Sequence, residues 1–226
     1  MIGVALAGGA RAVFTGTAEG DMGHGGRYMP DVDPPVAARR RAVVDLPWTW
    51  LRQVHGPVVV TVDAPAAAVG VTGDALVTAT PGCALAVLTA DCAPVVLASP
   101  EGVVGVAHAG WRGLAAGVLE RTVGALRGLG AGRLQAVVGP CIGTGCYEFG
   151  EAELVALAAR VGPGVRGATA DGRPALDLVA GVRASLGRAG VVDVDDQHAA
   201  CTACGPGWYS WRARGQTERQ AAVVWR

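Results

Sequence analysis

The chain has 226 residues, about half of them apolar, and its 19 basic and 19 acidic residues give a formal net charge of zero. This length accommodates one large domain or two small ones with a sizeable core, and neutrality argues against a general nucleic-acid or anionic-membrane binder. Every basic residue is arginine, which excludes Schiff-base lysine chemistry and a P-loop lysine.

The compartment is predicted from the start of the chain and from the cysteines. The apolar stretch MIGVALAGGARAVF has no cationic region before it, so we interpret it as a first strand and not as a signal peptide. No apolar run reaches the roughly 18–20 residues of a membrane span. We therefore expect a cytoplasmic protein whose six cysteines are reduced thiols.

Short apolar runs of strand length dominate the chain, each bounded by Gly, Pro or Asp. In chain order they are ARAVFT, VVVTVD, DALVT, ALAVLTAD, PVVLAS, VVGVAHAG, LQAVVG and AAVVW. Helical spacing of apolar residues predicts helices over 114–130, 150–162 and 175–190. Since strands outnumber helices and do not alternate with them regularly, we expect mixed α/β architecture with layered sheets.

Two segments are predicted to be irregular. Residues 15–41 are rich in Gly, Asp and Pro, which indicates a long loop of the kind that is often functional. The tail GWYSWRARGQTERQAAVVWR predicts two strands around an ARGQTER turn, with the end of the chain packed into a sheet.

Three potential metal ligands lie at predicted element boundaries, where sites on α/β folds usually form. His55 lies in QVHG, Cys92 in TADC and His108 in HAGWRG. One thiolate and two imidazoles could hold a catalytic zinc with an open fourth position. Their spacing matches no short metal motif, however, and from spacing alone three unrelated core residues are the more common outcome. A Cys92 nucleophile with either histidine as its base is a further alternative.

Two neighbours of these residues bear on the chemistry. Asp91 would by itself raise the pKa of the adjacent Cys92 thiol, so a nearby cation or metal would have to offset it. The glycines of HAGWRG allow a tight turn into a helix, where Arg112 could clamp an anion. A glycine turn with a solvated arginine is an equal alternative.

Four further cysteines are Cys141 and Cys146 in GPCIGTGCYEFG, and Cys201 and Cys204 in CTAC. They could suggest a second metal site, but their spacing does not fit a zinc ribbon well. Packing of cysteines within turns is therefore the favoured interpretation.

Taken together, the segments LRQVHG, GDALVT, TADCAPVVL, VGVAHAGWRGL, GPCIGTGCYEFG and WYSWRARGQTERQAAVVW resemble one family. From about residue 10 to its end, the chain is similar to the YfiH/DUF152 family, also called the polyphenol oxidase or laccase domain-containing family. The resemblance implies an α-β-β-α sandwich, and we expect one domain over residues 1–226 that includes 15–41 as a functional loop segment. It also implies one zinc ion bound by His55, Cys92 and His108, whose charge would offset Asp91.

The activity implied by the resemblance is zinc-dependent phosphorolysis of purine nucleosides. Adenosine, inosine, guanosine or methylthioadenosine would react with phosphate to give the base and a pentose 1-phosphate, with adenosine deamination as a companion activity. The family's older label is a copper-dependent laccase, but four histidines cannot build a multicopper cluster. The alternatives are a copper-dependent polyphenol oxidase, or a non-catalytic nucleoside- or zinc-binding regulatory protein.

Secondary roles follow as hypotheses. Asp91 would move protons or fix a ligand histidine. Arg112 and Arg41 would bind phosphate, and Gln53 and Tyr209 would line the nucleoside pocket. Asp21 stands where many relatives carry Asn, and an unpaired acid there would repel phosphate. The expected partners are a purine nucleoside and phosphate, with no nucleic acid or membrane, and the expected assembly is a monomer or small homo-oligomer.

Overall fold

The computed structural model describes residues 1–23 and 33–226, which form two mixed β-sheets with helices on both outer faces. The strands are β1 (Ile2–Ala5), β2 (Arg11–Phe14), β3 (Trp48–Trp50), β4 (Val59–Thr61), β5 (Ala75–Thr78), β6 (Ala84–Thr89), β7 (Ala93–Ala98), β8 (Val104–Ala109), β9 (Gln135–Val138), β10 (Arg166–Ala168), β11 (Pro174–Leu176), β12 (Asp193–Asp195) and β13 (Gln220–Trp225). The helices are α1 (Pro34–Val43), α2 (Trp111–Ala116), α3 (Val118–Gly128), α4 (Glu151–Val161), α5 (Leu178–Arg188) and α6 (Trp211–Arg214).

The two large sheets have different connectivity. The five-stranded sheet has the order β1-β2-β13-β6-β3, and the six-stranded sheet has the order β12-β9-β7-β8-β5-β4. Each contains parallel and antiparallel pairs: β3 runs parallel to β6 and β4 runs parallel to β5, whereas β7 and β8 are antiparallel. A separate antiparallel pair is formed by β10 and β11.

Three apolar layers hold the sheets and helices together. The first lies between the sheets, where Phe14 and Leu85 pack against Val96 and Val106. The second and largest lies between the six-stranded sheet and α2–α5. The third covers the outer face of the five-stranded sheet next to α1 and contains Trp50. Burial on both faces explains why the central strands are continuously apolar and do not alternate. The layered α/β architecture predicted from the sequence is confirmed.

Three local predictions were wrong. The segment predicted as one helix over 114–130 starts earlier and is broken into α2 and α3, because Gly117 adopts a left-handed conformation with φ 83°. The last part of the predicted loop 15–41 is helical, since the prolines at the start of α1 favour its first turn. The rest of that segment includes residues 24–32, which lie outside the described residues.

The third error is in the tail, where the first of the two predicted strands is replaced by the short helix α6. The Ser210 hydroxyl accepts a hydrogen bond from the Ala213 N–H and caps this helix, and Gly215 ends it with φ 63°. The second predicted strand is β13, which lies in the middle of its sheet. Within residues 1–23 and 33–226, no helix is long and apolar enough to cross a bilayer.

Candidate metal centre and pocket

His55 lies in a tight turn after β3 that is held by a single carboxylate. Asp74 accepts hydrogen bonds from the backbone N–H groups of Val54, His55 and Gly56 at 3.1, 2.8 and 2.8 Å. His55 has φ 59°, an uncommon backbone conformation for a residue other than glycine. The Gln53 side chain also pairs with the backbone N–H and C=O of Leu88, both at 2.8 Å. These contacts fix the turn against β6.

Cys92 lies where the chain crosses from one sheet to the other. The strand β6 belongs to the five-stranded sheet and β7 to the six-stranded sheet, so the TADC turn joins the two layers. Asp91 has φ 90°, and its buried carboxylate accepts hydrogen bonds from the Thr202 hydroxyl at 2.6 Å and the Arg212 N–H at 2.7 Å. These carboxylate contacts hold the turn with Asp91 in a backbone conformation that is uncommon for a residue other than glycine.

His108 reaches the same place from β8. Pairing of β7 with β8 sets Pro94 opposite His108 and brings Cys92 beside Gly110. The His108 backbone N–H donates to the Asp74 carbonyl at 2.7 Å, and its ring Nδ1 lies 2.9 Å from Asp74 Oδ1. Since Nδ1 is used by this carboxylate, Nε2 is the ring nitrogen left to bind a metal.

The three side chains form a compact ligand set. One ligand atom from each of His55, Cys92 and His108 lies within 4.8 Å of the other two, and Cys92 Sγ is 3.7 Å from His55 Nε2. Zn–S and Zn–N bonds of about 2.3 and 2.0–2.1 Å in a tetrahedral site would place sulfur and nitrogen about 3.6 Å apart. The residues therefore fit a tetrahedral metal ion with three protein ligands. Thiolate and imidazole suit both zinc and copper, so the donor set does not choose between them.

Glycine is required where α2 begins. A Cβ atom on Gly110 would lie 2.8 Å from Cys92 Sγ and 3.0 Å from His55 Cδ2. The backbone therefore approaches two ligands more closely than any side chain would allow.

Cys92 and His108 favour their ionised forms even without a metal. Burial opposes ionisation of the Cys92 thiol, but His108 and His55 outweigh it and lower the thiol pKa to about 6. Burial likewise opposes protonation of His108, but Cys92 and Asp74 raise its pKa to about 9. Burial by itself would raise the pKa of Asp74. Hydrogen bonds from His108 and from the Gly56 and Val54 N–H groups outweigh this effect, so the pKa of Asp74 is lowered overall. A thiolate, the form that binds metals, is thus favoured at neutral pH.

The cluster forms the floor of a cavity of about 520 Å³, within the range of small-molecule sites. The cavity has an aromatic wall made of Trp50, Trp111, Tyr147 and Trp211. Three arginines, Arg112, Arg212 and Arg219, also line it. Arg112 lies over the Trp111 ring at 4.2 Å, and Arg212 lies over Tyr147 at 5.1 Å. The pocket can bind a flat ring system and an anion next to a metal ion.

Residues 24–226 match the family model described as multi-copper polyphenol oxidoreductase laccase. The chain belongs to this family. Among its curated relatives, "Purine nucleoside phosphorylase ORF3" of Streptomyces griseus is 43% identical over 218 residues, covering 91% of this chain and 87% of the relative. A Streptomyces coelicolor protein, also named purine nucleoside phosphorylase, is 45% identical over 194 residues, covering 84% of this chain and 79% of the relative.

Solved structures agree with this assignment. A Neisseria meningitidis DUF152 protein has a TM-score of 0.81 at 30% identity, covering 96% of this chain and 93% of its own. YlmD from Geobacillus stearothermophilus also has a TM-score of 0.81 at 30% identity, covering 98% and 93%. The resemblance to the YfiH/DUF152 family is confirmed.

Against this family background, the secondary residues predicted from sequence divide into two groups. Gln53, Asp91 and Arg112 line the pocket. Arg41 is exposed on α1 and Tyr209 is buried beside Gln220, and both lie outside the described lining of the cavity. The predicted phosphate role of Arg41 and the predicted nucleoside role of Tyr209 stay predictions.

Sequence reasoning missed Asp74, the carboxylate that fixes a ligand histidine. We assigned this task as one option to Asp91, whose oxygens instead contact Thr202 and the Arg212 N–H. An acid directly before the buried strand β5 was the available signal, because burial requires such a carboxylate to have partners. Arg212 and Arg219 were missed because the tail was interpreted as a strand and a turn.

Asp21 is paired in the structure. Its carboxylate accepts hydrogen bonds from the backbone N–H groups of Gly23 and Arg219, both at 2.8 Å. Asp21 therefore positions the backbone of Arg219, which lines the pocket. Since its carboxylate is paired, the expected repulsion of phosphate by an unpaired acid does not apply.

Proposed function

We propose that this protein is a zinc-dependent purine nucleoside phosphorylase, with adenosine deamination as a companion activity. One observation carries the proposal: a single cavity combines a His-Cys-His ligand set, an aromatic wall and three arginines. This is the combination that a purine base, a phosphate ion and a metal require. The names of the curated relatives support the same substrates.

The aromatic wall and the arginines would bind the two substrates. Trp211 offers a ring face on which a purine can stack. Arg112 and Arg219 would bind phosphate through paired N–H donors and hold it near the sugar. Positioning two reactants in one site supplies a large part of the rate enhancement in such bimolecular reactions.

His55, Cys92 and His108 would hold the zinc ion, with Asp74 fixing His108. When bound, zinc supplies Lewis-acid polarisation of an oxygen in the site. In phosphorolysis, a phosphate oxygen forms a bond to the anomeric carbon as the bond from that carbon to the base breaks. The electron pair goes to the base, which takes up a proton. The arginines stabilise the phosphate in the correct position for this displacement.

The oxidase alternative follows from the family description, and the composition argues against it. A multicopper centre needs many histidine ligands, and the chain has four histidines in all. Two of these already belong to the His-Cys-His set.

The test combines metal and product analysis on one sample. Zinc and copper are quantified in protein purified without added metal, and the protein is then incubated with adenosine with and without phosphate. We expect bound zinc, of which one equivalent is lost in Cys92→Ser, and adenine that appears only with phosphate. Inosine as the only product would indicate a deaminase and not a phosphorylase. Several copper ions per chain without nucleoside turnover would support the oxidase alternative.

A matched pair of variants controls this experiment. Cys92→Ser should lose the zinc of this site together with nucleoside turnover. Cys83→Ser removes a buried thiol that packs between the two sheets, outside the described lining of the cavity, and should keep both. Zinc without turnover in the parent protein would favour a binding or regulatory protein.

A further inference from the structure

A second group of cysteines lies beside the pocket and takes no part in the proposed reaction. The sulfur atoms of Cys146, Cys201 and Cys204 all lie within 4.8 Å of one another, and Cys146 Sγ is 3.5 Å from Cys204 Sγ. Cys146 ends a short 3₁₀ turn, whereas the other two lie in the CTAC turn that precedes α6. Tertiary folding therefore brings Cys146 to a cysteine pair that lies more than 50 residues further along the chain.

These separations match a metal site better than a disulfide. Two sulfurs on a tetrahedral zinc, each at about 2.3 Å, lie about 3.8 Å apart. A disulfide would need about 2.05 Å, and all six cysteines are free in the structure. The distance of 3.5 Å thus lies close to that expected for thiolates sharing one ion.

The surroundings provide what a metal site needs. The Gly143 N–H donates a hydrogen bond to Cys201 Sγ at 3.2 Å, which orients this sulfur and stabilises its thiolate form. Cys204 is exposed, and Cys146 opens onto a shallow cleft of about 390 Å³ that also contains Glu148 and Asp171. An ion can enter through this cleft, and solvent can supply a fourth ligand.

We propose that Cys146, Cys201 and Cys204 form a second metal site that binds Zn²⁺ with a solvent molecule as fourth ligand. Three thiolates select thiophilic ions and reject Mg²⁺ and Ca²⁺, which prefer oxygen. The site differs from the His-Cys-His cluster in its donors and does not depend on the nucleoside activity.

The position of the site gives the ion a structural task. Thr202, inside the CTAC turn, donates its hydroxyl hydrogen bond to Asp91, and its carbonyl accepts a bond from Arg214 on α6 at 2.9 Å. On the other side, the Ile142 N–H donates to the Asp91 carbonyl at 2.9 Å. An ion that joins Cys146 to the CTAC turn would therefore hold the wall of the pocket that carries Trp211 and Arg212.

The test measures zinc stoichiometry under reducing conditions with a chromophoric zinc competitor. The full chain is stripped with a chelator and titrated with Zn²⁺ alone. We expect two zinc ions for the parent, one for Cys204→Ser, one for Cys92→Ser and none for the double variant. The matched control Cys83→Ser should bind two. One zinc in the parent with no change in Cys204→Ser would overturn the second site.

Two further readouts keep the result decisive if Cys204→Ser folds poorly. Cys146→Ser should lose the same equivalent of zinc. In the Cys92→Ser background, Co²⁺ should give thiolate-to-metal charge-transfer absorption that disappears when Cys204 is also replaced by Ser. If the cluster instead forms a Cys146–Cys204 disulfide without reductant and binds no metal in its presence, the metal proposal is wrong. Loss of turnover with intact zinc binding at the cysteines would contradict only the proposed function.

Discussion

Asp74 Oδ1 lies 2.9 Å from His108 Nδ1 and also accepts the backbone N–H of His55 at 2.8 Å. One buried carboxylate thus orients the ring of one ligand histidine and the backbone of the other. Because the side chain is completely buried, its charge is stabilised by these donors together with the N–H groups of Val54 and Gly56.

Asp74→Asn tests this arrangement. Asparagine keeps the size of the side chain but loses the charge and one acceptor, so the His108 ring loses its orienting partner. We expect metal affinity at the His-Cys-His set to fall by about 10- to 100-fold, measured with a zinc competitor. The control Asp177→Asn alters a carboxylate that caps α5 through the Ala180 N–H, and it should retain parent zinc affinity. Equal affinities in both variants would contradict the assigned role.

Gly110→Ala tests the close approach of the backbone to the ligands. Its φ of −76° tolerates alanine, so the effect comes from the added methyl against Cys92 Sγ and His55. A displacement of this size should lower kcat/KM for the nucleoside by about 100-fold and weaken zinc binding. Gly124→Ala in α3, where a Cβ meets nothing within 4 Å, should instead raise stability by up to about 1 kcal/mol. An unaffected Gly110→Ala enzyme would show that the site is looser than the structure implies.

The reactivity of Cys92 in chelator-treated protein tests the charge pairing. Since the thiol pKa is lowered to about 6, its alkylation rate should rise with pH through about 6 and be close to its maximum at pH 7. An ordinary cysteine would still be rising near pH 8.5. The rate at Cys92 can be followed by peptide mass spectrometry. His108→Asn should move the Cys92 transition to higher pH, and a parent transition already near 8.5 would refute the pairing.

Thr202→Val removes the hydroxyl that donates to Asp91 while preserving side-chain size. A buried carboxylate then loses one of its donors, so the free energy of unfolding should fall by about 2 kcal/mol. The nucleoside KM should rise as well, because Asp91 also holds the Arg212 backbone. Thr122→Val is the matched control, since its buried hydroxyl donates to the Val118 carbonyl within α3. Thr122→Val should lower the free energy of unfolding by about 1 kcal/mol and leave KM unchanged. An equal rise of KM in both variants would argue against a connection between Thr202 and the pocket.

Trp211→Ala tests base stacking at the exposed rim of the pocket. This side chain is 57% exposed, so its removal costs little stability. Loss of a stacked ring should raise the nucleoside KM by about 5- to 100-fold, with little change in zinc content. Trp211→Phe keeps a ring face and should recover most of the affinity. An alanine variant with parent KM would mean that the base binds elsewhere.

The layered sheets, and the three side chains that cluster at the floor of the pocket, could be predicted from the sequence. Strand-length apolar runs depend on local composition, and each of the eight runs forms a strand in the structure, whereas the strand predicted at the start of the tail is absent. His55, Cys92 and His108 were identified because their motifs resemble a family, since spacings of 37 and 16 residues predict no site by themselves (92 − 55 = 37; 108 − 92 = 16).

Tertiary structure decided which groups support and surround those ligands. Asp74 acts on His108 because β5 and β8 are neighbours, and Arg212 reaches the pocket because α6 packs against the TADC turn. The cysteines of two separate turns meet only after both sheets have formed. Such partnerships depend on strand order and on loop packing, which are non-local, whereas the strands themselves depend on residues that are neighbours in the chain.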